Sequence, residues 1–121
     1  MTLQECYAAM GSDYDEVIGR LRSERLVQKF VLKFAGDESY SLLQKSLAEK
    51  NYEEAFRAAH TIKGVCQNLG LSRLGASSSA LSEALRGGKW PDGAAALAEQ
   101  VTKDYQETIA VIHAFQEALG G

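Results

Sequence analysis

Residues 51–70 read NYEEAFRAAHTIKGVCQNLG. Within them Tyr52, Ala55, Phe56, Ala59, Ile62, Cys66 and Leu69 recur at intervals of three and four, the spacing that gathers side chains on one face of an α-helix. Asn51, with Glu54 at the third helical position, offers a side chain to cap the first turn. Gly70 offers the positive-φ stop at the other end. The stretch predicts a helix over 52–69.

The same periodicity extends both ways. Upstream, Tyr40, Leu43 and Leu47 mark a helix over 38–49, and Leu26, Val27, Phe30, Val31 and Phe34 read as the inward face of a core helix over 24–35. Residues 3–10 and 13–21 read as two short helices, the second capped by Ser12 with Asp15 following. Downstream, Leu74, Ser78, Leu81 and Leu85 mark a helix over 72–86, and the small residues from Gly75 to Ala80 would let a neighbouring helix approach closely. After the loop Gly87-Gly88-Lys89-Trp90-Pro91, whose Trp90 is expected to cap one end, the stripe Ala94, Ala98, Val101, Tyr105, Ile112 and Leu119 predicts a helix over 93–119, roughly 40 Å long at the standard rise. Loops this short make neighbours antiparallel. The expected fold is all-α: an up-and-down antiparallel four-helix bundle with short accessory N-terminal helices, one domain over 1–121.

Composition agrees. Ala and Leu number 31 against 14 for Val, Ile and Thr together, with one Pro, at position 91, a balance that favours helix over strand. Thirteen basic side chains against 16 acidic leave a net charge of −3, without the basic excess that holds a chain on nucleic acid. No apolar run reaches the ~18 residues that a membrane span needs, and Met1–Glu5 lacks the basic and apolar regions of a secretory leader. Cys6 and Cys66 form neither a CxxC pair nor a disulfide framework. A cytoplasmic protein that binds neither nucleic acid nor membrane is expected.

One residue of the quoted stretch is off its apolar face. At about 100° per residue, His60 lies roughly 120° from the centre of that face. Gly64 and Gln67 share its flank, with Lys63 at the edge. An imidazole on a rigid helix is a nucleophile near neutral pH without a metal or cofactor. Lys63 is placed to attract a phosphoryl charge. Gly64 costs about 1 kcal/mol relative to Ala in a helix interior, yet it clears space beside the ring, and Gln67 could hydrogen-bond an imidazole nitrogen or a phosphoryl oxygen. Each has a plainer reading: a solvated surface histidine, a snorkelling lysine, a glycine that serves helix packing.

The stretch Ala58-Ala59-His60-Thr61-Ile62-Lys63-Gly64-Val65-Cys66-Gln67-Asn68-Leu69-Gly70 resembles the signature of histidine-containing phosphotransfer domains, A-H-x-[LI]-K-G-x-x-x-x-[LIM]-G. The similarity continues through the Leu26–Phe34 segment, the turn at Lys50-Asn51-Tyr52 and the Leu74–Leu81 segment, covering roughly residues 13–119. Two positions depart from the pattern: Asn68, where small or apolar residues are common, and Ser82, where an acidic residue often stands.

The resemblance implies a phosphorelay intermediate. His60 would accept a phosphoryl group from a receiver-domain aspartyl phosphate and pass it to another response-regulator receiver, with Lys63 giving charge stabilisation, Gly64 clearance and Gln67 a hydrogen bond. Receivers and a hybrid histidine kinase are the implied partners, Mg²⁺ is expected on the receiver only, and the chain is expected to be a monomer without a cofactor of its own. No Walker loop, glycine-rich nucleotide fingerprint or kinase signature occurs, so a phosphocarrier and not an enzyme is expected. Arg57, Lys29 and Lys33 are candidate basic contacts for the partner. Ile18 and Leu21 are either core residues or part of a partner-facing patch.

Two other classes compete. A phosphate-silent helical adaptor would bind receiver or kinase domains without carrying phosphate. A di-metal bundle would need Glu-x-x-His pairs, but Arg57 and Ala110 stand three residues before His60 and His113. Cys66 reads as a core residue, Cys6 as the more exposed thiol, and His113 receives no role.

Overall fold

The computed structural model describes residues 1–120 and places them in seven helices: α1 (Leu3–Ala9), α2 (Tyr14–Leu21), α3 (Glu24–Phe34), α4 (Ser39–Ala48), α5 (Tyr52–Leu69), α6 (Ser72–Leu85) and α7 (Ala94–Gly120). No strand occurs among the described residues. Local chemistry explains the starts. Thr2 and Glu5 form a reciprocal capping box on α1, with N···O distances of 2.8 and 3.1 Å. Ser23 and Asn51 cap α3 and α5 by accepting from Leu26 N and Glu54 N at 3.2 and 3.3 Å. On α2 the cap is Asp13, which accepts from Glu16 N at 3.0 Å, one residue later than the Ser12 read from sequence. A carboxylate there both accepts the orphan N–H and opposes the positive end of the helix.

Packing centres on α5, which lies chiefly against α6 and α4, while α6 lies against α7. Small residues set the spacing between α5 and α6. A Cβ on Gly75 would stand 3.2 Å from Cys66 Cβ, and Ser77, Ser78 and Ser82 of α6 are buried. Side chains join α4 to α7: the Tyr40 ring stacks on Tyr105 with centroids 3.7 Å apart, and Tyr40 Oη and Gln44 Nε2 both donate to Thr102 Oγ1 at 3.1 Å. Phe34 of α3 meets the same Tyr105 edge-on at 6.3 Å.

The N-terminal helices serve the end of α5. The last carbonyls of a helix lack partners within it. Here Tyr7 Oη donates to Leu69 O at 2.6 Å, and the Arg20 guanidinium donates to Gln67 O and, at 2.8 Å, to Asn68 O. Gly70 follows in the left-handed region at φ 68°, and a Cβ there would come within 2.9 Å of Asp13 O. Conformation and space both require glycine at this point.

Four expectations need correction. Leu26 and Phe30 are 40 % and 36 % exposed, because α3 turns Val27, Val31 and Phe34 inward and its neighbours at 26 and 30 fall one helical step to the side. Leu119 is 47 % exposed. Over the 27 residues of α7 the buried stripe is Ala94, Val101, Asp104, Thr108, Ile112 and Phe115, and it includes polar residues that an apolar count passes over. Cys6 is fully buried, since α1 points Leu3, Cys6 and Tyr7 into the core, with Met10 following at its C-cap. The fourth is the Ser12 cap already described.

Burial pushes the Cys6 thiol up to about 11 and the Cys66 thiol up to about 12, with Asp37 adding to the rise at Cys66. Burial likewise raises the Tyr7 hydroxyl. The native state thus holds these protons more tightly than the unfolded chain does. Their contribution is complete below the ordinary thiol pKa and is lost as pH rises through the folded values. Urea unfolding across pH 7 to 11 should show stability falling above about pH 9. Gly70→Ala should lose about 2 kcal/mol or more in the same assay at pH 7.

Candidate functional site

The contacts that bury one side of α5 also determine which side stays open. Ala55, Ala58, Ala59, Ile62, Cys66 and Leu69 are buried. On the other flank His60, Gly64 and Gln67 are exposed and Lys63 is half-buried. These four residues, singled out from sequence, lie along one stripe of a single helix, one turn apart.

Gly64 distinguishes the two readings of that stripe. A Cβ built on it meets nothing within 4 Å, so no helix is packed there and packing does not require a glycine. The contrast with Gly75, whose added Cβ would press on Cys66, is direct. Open space lies one turn beyond the imidazole.

The imidazole has a neighbour whose spacing places it on the apolar face of the helix. Phe56, one turn before it, is half-buried at the edge of the apolar face. Its ring stacks with that of His60, with centroids 5.9 Å apart and planes 22° from parallel. The Arg86 guanidinium, from the end of α6, sits 5.4 Å from the Phe56 centroid. Arg86 in turn donates to both carboxylate oxygens of Glu83, at 2.6 and 3.3 Å. Those hydrogen bonds first, and the guanidinium charge second, hold the Glu83 carboxyl below the usual carboxylate range. Lys63 and His60 add smaller pulls in the same direction.

Other candidates fall elsewhere. Gln67 engages through its backbone carbonyl, which accepts from Arg20, and its side-chain amide makes no hydrogen bond to His60 among the described residues. Arg57 pairs with Glu54, and Thr61 Oγ1 turns back to Arg57 O at 2.9 Å. Lys29 and Lys33 are exposed on α3. Ile18 and Leu21 are half-buried and packed against the core. Trp90 stacks on Tyr52 at 4.8 Å, over the start of α5, and keeps one side in solvent. Phe56 could have been read as a ring neighbour from its i−4 spacing to His60. Arg86 and Glu83 come from another helix, and no local signal connects them to His60.

Among the described residues no three His, Cys, Asp or Glu side chains gather as a metal site would require. No helix among the described residues is long and apolar enough to cross a membrane.

A family model for the Hpt domain matches residues 31–118, well over half of the chain. Neither curated proteins nor solved structures give a match. The matched span begins inside α3, holds α4, α5 and α6 entire and ends two residues short of the end of α7, so α1, α2 and the first turns of α3 precede it. With His60, Lys63 and Gly64 ranged along the open flank of α5 inside that span, the chain belongs to the Hpt domain family, the phosphocarriers of two-component signalling that work with response-regulator receivers and kinases.

Proposed function

We propose that this chain is a phosphorelay intermediate, in which His60 accepts a phosphoryl group from the aspartyl phosphate of one receiver domain and passes it to the aspartate of another. The observation that carries the proposal is the open flank of α5, where an exposed imidazole is followed one turn later by a glycine with nothing around it. A docked carboxyl-phosphate needs such an approach. In acceptance, the lone pair of one imidazole nitrogen forms the N–P bond as the acyl P–O bond breaks. The electron pair leaves with the receiver carboxylate, and the ring carries the positive charge until it gives up its N–H proton to water. The next receiver reverses the step.

The division of labour follows from phosphoryl-transfer chemistry. The transition state needs in-line placement and charge neutralisation more than covalent help. In this reading the receiver brings its acidic pocket and Mg²⁺, and the chain uses no cofactor. His60 is the nucleophile, Lys63 a nearby cation for the transferring phosphoryl, Gly64 the clearance, and Gln67 a hydrogen-bond donor once its amide turns to the site. The fold suits the task as an up-and-down antiparallel bundle of α4, α5, α6 and α7, with the earlier helices as accessories. The α4–α5, α5–α6 and α6–α7 contacts and the Tyr40–Tyr105 stack support that arrangement. A monomeric, cytoplasmic carrier working between a hybrid kinase and its response regulators completes the reading.

Incubation with a phosphorylated receiver and Mg²⁺ should give an acid-labile, base-stable phosphoprotein that is absent in His60→Gln. Lys63→Ala should slow labelling about tenfold, the scale of one lost charge contact in a transition state. A receiver that binds the chain and never transfers label would make it a silent adaptor.

Gly64 separates stability from function. Gly64→Ala should raise stability by about 0.5–1 kcal/mol in urea unfolding, because the helix gains a better former and no contact is violated. Gly64→Leu should leave the fold intact and reduce phosphoryl acceptance by at least tenfold, read as the initial rate of labelling. A Gly64→Leu protein that accepts label at the wild-type rate would remove the clearance argument.

A further inference from the structure

Positions 52, 56, 60 and 64 of α5 follow one another at four-residue spacing, and three of them carry rings. Tyr52 is stacked under Trp90, and Phe56 is stacked on His60. Phe56 has a second partner. The Arg86 guanidinium lies over its ring at 5.4 Å and is itself held by two hydrogen bonds to Glu83. A ring that served the core alone would meet only core side chains. This one is half-buried, and a cation and the candidate nucleophile both rest on it.

The imidazole has reason to need such a support. Rotation about the bond between Cβ and the ring of a histidine is broad and weakly restrained. Among the described residues no hydrogen bond fixes the plane of the His60 ring. In-line transfer requires the attacking nitrogen within about 3–3.5 Å of phosphorus along a defined direction. The Phe56 ring, its centroid 5.9 Å from that of the imidazole and its plane 22° from parallel, is the aromatic neighbour placed to restrict that plane. Its quadrupole also favours the positive charge that the imidazole acquires as the N–P bond forms. Arg86, over the Phe56 ring at 5.4 Å, is placed to hold it against tilting and links the end of α6 to α5.

We propose that Phe56 is a positioning residue for His60, holding the plane of the imidazole by a stack that Arg86 clamps in place. This rests on the reading of His60 as phosphoryl acceptor. It assigns to the site a side chain that the helical pattern alone places in the core, and a second one 26 positions downstream of the nucleophile.

Phe56→Leu preserves apolar bulk against the core and removes the aromatic face; Phe56→Tyr preserves the face. Phe56→Leu should move the His60 ring-proton resonances through loss of the ring current, leave receiver affinity within about twofold, and slow phosphoryl acceptance about tenfold, the scale of a lost orientation restraint. Phe56→Tyr should restore both rate and resonances. Wild-type acceptance by Phe56→Leu overturns the proposal, and so does equal slowing by Leu and Tyr, which would mark a packing role. Should Phe56→Leu unfold without cooperativity, Arg86→Met decides, at an exposed position that the fold tolerates: slower acceptance with shifted His60 resonances supports the clamp, and an unchanged rate with unchanged resonances overturns it. Failure of the wild-type chain itself to take label would overturn the assignment of His60, and this inference with it. That outcome is distinct from one in which the wild type labels and Phe56→Leu labels equally fast.

Discussion

The structure depends on the burial of one face of α5. Ala55, Ala59, Ile62, Cys66 and Leu69 are all but inaccessible to solvent, and each buried apolar group favours the packed state by roughly 25 cal/mol per Å² of surface removed from water. The helix cannot rotate without exposing that face. Its other flank, with His60 and Gly64, is therefore held outward by the same energy that builds the core. An exposed imidazole on a helix so constrained has its direction set before any partner arrives.

The ends of α5 are restrained as well. At the start Asn51 satisfies Glu54 N, and Trp90 lies over Tyr52. At the finish the orphan carbonyls receive Tyr7 from α1 and Arg20 from α2. The segments outside the family match thus secure the helix that carries the candidate nucleophile, although they lie far from His60 in sequence. The glycines show the same economy of means. Gly70 and Gly75 are positions where backbone or side chain approaches closely, and Gly64 is a position where nothing does. Three glycines along one stretch of chain have three physical grounds.

Much of this was legible in the chain itself. The limits of α5, its Asn51 cap, its buried face and the outward flank of His60 follow from three-and-four spacing and capping chemistry, which are local. The α3 reading failed at Leu26 and Phe30 because five apolar residues in one helix exceed what a single face can bury. Tertiary contact chose Val27, Val31 and Phe34. The α7 reading failed at Leu119 because a long helix outlasts the helices that cover it, and it passed over Asp104 because a count of apolar residues omits a buried carboxylate, here accepting from Gln100 Nε2 at 3.0 Å. Cys6 was misplaced because nearness to a terminus says nothing about the face on which α1 turns.

By itself, then, the sequence determined an all-helical chain, the ends of its helices and a histidine, lysine and glycine sharing one flank, since all of these arise from interactions within a few residues along one helix. The tertiary structure alone decided that Gly64 faces empty space while Gly75 faces Cys66, and that Arg86 reaches the Phe56 ring from the end of α6. The Gly75–Cys66 approach and the Phe56–Arg86 contact join atoms on different helices, and the space at Gly64 is where no other helix lies; only the way the helices pack settles each of these.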